Sequence, residues 1–333
     1  MAKSYDICIV GGCGHVGLPL GIAFADQDKN VALYDLNEKS VDVISAGKMP
    51  FMEEGGEAAL KKVLKNGKLK ATTDSKVVAD SKVVIMVIGT PVDEHLNPKV
   101  RDIIKAVKEI QNHLSADQLL VMRSTLYPGM TDKVHAYLQR QGIKTLVAFC
   151  PERIVEGKAL TEIHDLPQIV AGCNDEATKR ATELFGILTK KVIATKPIEA
   201  EIAKLFTNTW RYINFAISNQ FYMIANSQGL DFYNIYNAMT EDYPRLKSFA
   251  RAGLAAGPCL FKDTMQLSAF SGNNFFLGHS AMLINEGLPD FIVNAMKQKF
   301  DLSHCKVAVL GMAFKGDNDD PRESLSYRLK KTT

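Results

Sequence analysis

The sequence predicts an α/β protein: a parallel sheet within residues 1–196, a helical middle over 197–302, and the start of a second α/β domain over 303–333. Three observations carry this. Short apolar runs, each closed by glycine or a polar cluster, recur through the first part at the length of buried parallel strands. From Ile198 to Ser227 there is neither proline nor glycine, and apolar residues return at helical spacing. His304–Gly311 then opens a new apolar run, followed by a polar loop.

Taken in order, Tyr5–Val10 reads as the first strand, and Gly12-Cys13-Gly14-His15-Val16-Gly17 follows it directly. Leu18–Asp26 has a helical pattern, and Val31–Asp35 is a second strand ending in a carboxylate. In this layout Gly12 permits a tight turn, Gly14 lets a pyrophosphate approach the backbone, and Gly17 allows helix to pack closely on strand. The loop, completed by His15 and Val16, leads into a helix N-terminus whose free N–H groups suit phosphates. Asp35 stands where a carboxylate accepts from an adenosine ribose and repels a 2′-phosphate, so the dinucleotide is NAD rather than NADP. This is a Rossmann-type arrangement. Three more strands end in polar clusters: Lys82–Ile88 at Gly89-Thr90-Pro91, Gln118–Arg123 at Ser124-Thr125, and Thr145–Phe149 at Cys150-Pro151-Glu152. Ligands of open parallel sheets bind beyond such strand ends.

In the helical middle, Lys204, Asn208 and Tyr212 stand at i, i+4 and i+8 and share one face. Leu283–Phe300 predicts a second substantial helix, interrupted near Pro289. Between the two, Leu246–Asn274 carries a loop with Cys259 four residues before Asp263, Lys262 between them, and Gly253 and Gly257 in front. A cation beside a thiol favours the reactive thiolate, and glycines let backbone approach a substrate. His304–Gly311 and the segment to Ser324 read as the first strand and loop of a second Rossmann-like domain, truncated because the chain stops at Thr333 before a core could close.

The 333 residues exceed one ordinary core, and 46% hydrophobic with 23% charged residues is ordinary globular composition. A formal charge of +3 from scattered Lys and Arg gives no case for nucleic acid. Six cysteines without a C-x-x-C pair or a His/Cys cluster predict neither zinc nor a disulfide framework. With no signal-peptide pattern and no membrane-spanning apolar stretch, the expectation is a reduced, cytoplasmic protein away from membranes.

The ordered set of motifs resembles the nucleotide-sugar 6-dehydrogenase family, which includes UDP-glucose and UDP-N-acetylmannosamine dehydrogenases. The set comprises Gly12-x-Gly14-x-x-Gly17, Gly89-Thr90-Pro91, Arg123-Ser124-Thr125, Pro151-Glu152-Arg153, Lys204-x-x-x-Asn208, Gly257-x-Cys259-x-x-Lys262-Asp263 and Gly311-x-Ala313-Phe314-Lys315. The resemblance implies an NAD domain, a central helical domain that forms a homodimer, and a UDP-binding domain. It implies oxidation of the C6 hydroxymethyl group of a UDP-sugar to a carboxylate with two NAD. Cys259 would be the nucleophile, passing through a thiohemiacetal and a thioester, and Lys204 would stabilise oxyanion character. Asn208 would donate a hydrogen bond, Asp263 with Thr125 would position or activate water, and Glu152 and Glu156 match acidic positions near water and sugar. Thr90 and Thr125 would border the cofactor; Arg153, Glu156, Lys204, Asn208, Lys315 and Arg322 would contact substrate.

Pro151-Glu152-Arg153 followed by Gly157-Lys158-Ala159-Leu160 resembles the acetamido-sugar branch, whereas Cys259-Leu260-Phe261-Lys262-Asp263 is closer to the UDP-glucose branch. Gly257-Pro258-Cys259 lacks the usual small residue before the cysteine. The substrate is therefore a UDP-N-acetylhexosamine or UDP-glucose. A two-electron β-hydroxyacid dehydrogenase and a non-enzymatic NAD-binding module remain as alternatives.

Overall fold

Alternation along β1 (Tyr5–Val10) explains the layering: Ile7 and Ile9 enter one apolar core, Cys8 and Val10 the other. A strand covered on both faces must be apolar on both. The computed structural model describes residues 3–90, 92–93, 99–255 and 257–333. Within Met1–Lys204, the first of two compact units, the chain continues through α1 (Gly17–Asp26), β2 (Val31–Tyr34), α2 (Glu38–Ser45), α3 (Gly56–Lys65) and β3 (Leu69–Thr72). Next come α4 (Lys76–Ala79), β4 (Ser81–Met86), α5 (Val100–Ile110), β5 (Leu119–Met122), α6 (Met130–Arg140) and β6 (Leu146–Phe149). The unit closes with α7 (Ala159–Asp165), β7 (Gln168–Gly172), α8 (Asp175–Phe185) and β8 (Val192–Ala194).

The eight strands among the described residues lie in the order β3-β2-β1-β4-β5-β6-β7-β8, all pairs parallel except β6 with β7. The order reverses between β1 and β4, which opens a crevice at their carboxyl ends. The polar cluster expected after β4 begins there, although Pro91 lies outside the described residues.

A 31-residue helix, α9 (Pro197–Ser227), starts on a proline whose missing N–H costs nothing at a helix start. In the second unit, Leu205–Thr333, it is followed by α10 (Phe232–Thr240), α11 (Leu260–Phe270), α12 (Phe276–Lys297) and α13 (Leu325–Thr332). Tyr212, Ala216, Ala255, Leu260 and Ala281 form its buried apolar cluster.

Two expectations need correction. The helix expected at Leu283–Phe300 begins at Phe276 and runs unbroken through Pro289. Gly278, Ala281, Asn285, Leu288 and Val293 are buried at helical spacing around that proline, and the packing of this stripe outweighs one lost backbone bond. His304–Gly311, expected as a buried strand, is not one: Leu302–His304 forms a single tight turn, residues 305–310 have no regular structure, and Leu310 is 94% exposed. An apolar run becomes a strand only where a neighbour accepts its backbone bonds, and no strand is present in Leu205–Thr333 among the described residues. No helix among the described residues is long and apolar enough to cross a membrane.

Candidate active site

The β1–α1 turn separates glycines required by packing from one that packing does not require. A Cβ on Gly12 would come within 2.7 Å of Ile9 O, and one on Gly17 within 2.7 Å of Gly11 O. A Cβ on Gly14 would meet nothing nearer than Gly11 O at 4.0 Å. That open space suits a phosphate group pressed against the backbone. Val16 caps α1 without a side-chain hydrogen bond, and no acidic residue occupies the first turn, so the N-terminal N–H groups and the helix dipole favour an anion.

Asp35 braces this loop: Oδ2 accepts from Cys13 N–H at 3.0 Å and Oδ1 from Asn37 N–H at 3.0 Å. His15 stacks on Phe51 with ring centroids 4.0 Å apart. The residues present therefore fit a dinucleotide. Thr90 and Thr125, both half-buried, follow the carboxyl ends of β4 and β5, and the neighbouring Ser124 hydroxyl accepts from Ile88 N–H at 2.7 Å, tying those two ends together.

Glu152, at the end of β6, is 8% exposed. One oxygen takes Arg123 Nε at 3.0 Å and Arg123 Nη2; the other takes Arg153 N–H at 2.7 Å and Ile154 N–H at 3.1 Å. Arg123 is buried, also donates to Cys150 O and Gln168 Oε1, and lies 4.7 Å from the centre of the Phe185 ring. A guanidinium this far from water is stable only when its donors are largely used and a carboxylate faces it. The Glu152 carboxylate thus fixes the start of the segment that carries Arg153 and Glu156, both half-buried. Arg153 itself donates to Pro167 O.

In the second unit, Cys259 is exposed and caps the N-terminus of α11. Its carbonyl accepts the Asp263 N–H at 2.9 Å, the first bond of that helix. Asp263 is 0% exposed. Its Oδ2 accepts from Asn208 Nδ2 at 2.6 Å, and its Oδ1 stands 3.6 Å from Lys262 Nζ with no hydrogen-bond partner among the described residues. An orphaned oxygen on a buried carboxylate is costly unless a bound group completes it. Lys204 and Asn208, one turn apart on α9, are buried at 8% and 4% exposure; a lysine so placed is retained for its charge rather than its packing. Lys315 is half-buried, while Arg322 is exposed and clasps the buried Asp320, with Nε 2.9 Å from Oδ1 and Nη2 2.6 Å from Oδ2.

Sequence reasoning singled out Asn208 and Asp263 separately, and the fold joins them. It passed over Arg123 as a working residue, although an arginine closing an apolar strand was a usable signal. It also missed Asn219 and Asn285, which no local pattern marks.

Residues 5–189 match the NAD binding domain of the UDP-glucose/GDP-mannose dehydrogenase family, and residues 198–286 match its central domain. A UDP-N-acetyl-D-mannosamine dehydrogenase from Pyrococcus horikoshii is 30% identical over 331 residues, covering 96% of this chain and 78% of its own length. The solved structure of the enzyme of that name from the same organism superposes with a TM-score of 0.90 at 29% identity, covering 98% of this chain and 80% of its own. A UDP-glucose dehydrogenase from Pyrobaculum islandicum gives 0.88 at 26% identity, covering 99% of this chain and 79% of its own. A glycine loop fitted to a dinucleotide, and an exposed cysteine capping the helix whose buried Asp263 bonds Asn208, thus occur in a chain that belongs to the UDP-glucose/GDP-mannose dehydrogenase family.

Proposed function

We propose that the protein oxidises the C6 hydroxymethyl group of a UDP-sugar to a carboxylate in two NAD-dependent steps, with a UDP-N-acetylhexosamine such as UDP-N-acetylmannosamine as preferred substrate. The observation that carries this is Asp263: a fully buried carboxylate, four residues into the helix capped by the exposed Cys259, bonded to Asn208 through one oxygen, while the other faces Lys262 at 3.6 Å with no hydrogen-bond partner among the described residues. A two-electron alcohol dehydrogenase has no use for a thiol beside a water-activating carboxylate. A four-electron enzyme needs both: one to hold the aldehyde covalently, the other to release the acid.

The Gly12–Gly17 loop and Asp35 would hold NAD, which would supply the hydride acceptor for the sugar carbon. The Cys259 sulfur adds to the aldehyde as a thiohemiacetal, whose hydride would pass to a second NAD to leave the thioester, so the reactive carbonyl stays attached between oxidations. Lys204 supplies positive charge against the developing oxyanion. Asn208, oriented by Asp263 Oδ2, donates a hydrogen bond, and Asp263 Oδ1 takes the proton of the water that cleaves the thioester. Thr125 helps place that water, and Thr90 borders the cofactor. Glu152, locked by Arg123, holds the segment that presents Arg153 and Glu156 to the sugar, and Lys315 and Arg322 serve the nucleotide moiety.

The Pro151-Glu152-Arg153 and Gly157–Leu160 segments, with the Pyrococcus relative's name, support the acetamido sugar over glucose. A homodimer through the central helices is supported by Phe206, Trp210, Ile217, Phe221 and Ile224 of α9, which are 42–57% exposed at spacings of 4, 7, 4 and 3. Cytoplasmic residence is part of the same reading, supported by six cysteines spaced without a disulfide framework.

The test is the yield of NADH from limiting UDP-N-acetylmannosamine, UDP-N-acetylglucosamine and UDP-glucose. Two NADH per sugar and an acidic product are expected, and Cys259→Ser should leave at most one. One NADH per sugar in the unaltered protein would point to the two-electron dehydrogenase. Binding of NAD without turnover of any UDP-sugar would point to the non-enzymatic module.

A further inference from the structure

Gly253, six residues ahead of Cys259, is held by a buried side chain from a distant part of the chain. Its N–H donates to Asn219 Oδ1 of α9 at 2.8 Å. Asn219 Nδ2 donates to Asn285 Oδ1 of α12 at 2.9 Å, and Asn285 Nδ2 donates back to the Tyr212 carbonyl of α9 at 3.0 Å. Both asparagines are 0% exposed. A contact of that depth between two helices is ordinarily filled by aliphatic side chains, because each buried amide group costs roughly 1–3 kcal/mol if any partner is missing. One bond joins the two amides, Asn285 Nδ2 turns to the Tyr212 carbonyl, and Asn219 Oδ1 takes a loop N–H outside both helices.

The far end of the same loop is gripped separately. Gly257 has φ of +106° and its N–H donates to Glu323 O at 3.3 Å. A Cβ at Gly257 would lie 2.6 Å from Phe314 Cδ2, so the aromatic ring rests directly on the backbone just before the thiol. Between the two grips, Ala255 packs in the cluster that contains Tyr212, whose carbonyl is the last acceptor of the asparagine chain.

We infer that Asn219 and Asn285 are positioning residues for catalysis: an asparagine relay between α9 and α12 that fixes the start of the thiol loop and with it the place of the Cys259 sulfur. The relay touches neither sulfur nor substrate and acts only through the loop. This rests on Cys259 being the nucleophile, and it goes beyond that assignment by naming what holds the nucleophile still. A loop fixed at both ends keeps the sulfur in one attack geometry, and small misplacements of a reacting group cost large factors in rate.

The test replaces Asn219 and, separately, Asn285 with alanine in the whole protein, and reads backbone hydrogen exchange together with steady-state kinetics. In Asn219→Ala, protection should fall at least about 10-fold at Gly253 and also at Gly257, whose own partners are untouched, the scale of one lost buried hydrogen bond. The kcat on the UDP-sugar, counted per NAD-binding site so that any unfolded fraction drops out, should fall by about 10-fold while KM for NAD stays within about 2-fold. Asn285→Ala, which leaves the Gly253 bond in place, should move both readouts in the same direction by less. It also carries the test if Asn219→Ala does not fold. Exchange that rises at Gly253 alone, with Gly257 and kcat unchanged, would overturn the relay. If the unaltered protein binds NAD yet oxidises no UDP-sugar, the proposed function fails instead, and protection at Gly257 alone then decides whether the relay holds the loop.

Discussion

Asp263 is where chemistry and burial conflict most. Removing a carboxylate from water costs several kcal/mol even after relaxation, and its visible compensation is one Asn208 hydrogen bond and a lysine 3.6 Å away. In the proposed reaction such a group works as a proton acceptor. Asp263→Asn, of nearly the same shape, should therefore lower kcat by about 10²–10⁴-fold, the usual contribution of a positioned acid or base, while KM for NAD is unchanged. Steady-state kinetics with each substrate varied would check this, and an unchanged kcat would assign Asp263 to structure alone. The thiols divide just as sharply. Burial, as the largest cause, pushes Cys8, Cys13, Cys150 and Cys173 up to about 12, so these supply almost no thiolate near neutral pH. Cys259 and Cys305 are instead exposed.

Among the elements, α9 does most of the organising. Besides Lys204 and Asn208 it carries Glu201, which is 1% exposed and caps another helix across space. Its carboxylate accepts from Gly129 N–H at 2.5 Å, Thr131 N–H at 2.8 Å and Thr131 Oγ1 at 2.6 Å, completing the N-terminus of α6 that Gly129 cannot cap. Burial nevertheless raises the Glu201 carboxyl above its ordinary 4.5, against the lowering effect of those hydrogen bonds. A carboxyl raised on folding contributes stability in its protonated form. That contribution is complete below about 4.5 and is lost as pH rises through the folded value. Unfolding of the native protein and of Glu201→Gln, which cannot titrate, should thus converge or cross as pH changes: the native protein gains relative to the variant between pH 7 and about 4.5. Denaturant titrations at several pH values would show it, and a constant difference would remove the raised carboxyl from the account. Arg123 and Glu152 do for the end of β6 what Glu201 does for α6. Losing either partner strands a buried charge, at a cost of about 3–5 kcal/mol.

For the whole molecule, the open question is what covers the apolar stripe of α9. Trp210 at 57% and Phe206 at 56% exposure are large aromatic side chains left in water, the residue types that dominate association energies. With a second copy on this stripe, Trp210→Glu should weaken association by at least about 30-fold, equivalent to roughly 2 kcal/mol at a central aromatic. Sedimentation velocity over a concentration series would report it; an unaltered protein that is monomeric throughout would reject the dimer.

Much of this was legible in the sequence. Tyr5–Val10, the Gly12–Gly17 loop and Asp35 are close neighbours along the chain, and their chemistry is dictated by local geometry: a buried strand, a turn only glycine allows, a helix start. The α9 helix was legible too, because 3.6-residue periodicity without a breaker has few other outcomes. Tertiary structure decided the rest. It ran α12 through Pro289 because packing of the surrounding stripe outweighed one backbone bond, and it left His304–Gly311 without strand structure because a strand needs a neighbour that local sequence cannot supply. It also joined Asn208 to Asp263, Arg123 to Glu152, and Asn219 to Asn285 and Gly253, pairs separated by 29 to 66 residues along the chain. The sequence by itself determined which residues could do the chemistry. Only the fold decided which of them meet, since hydrogen bonds and buried charge act over a few ångströms in space, whatever the distance along the chain.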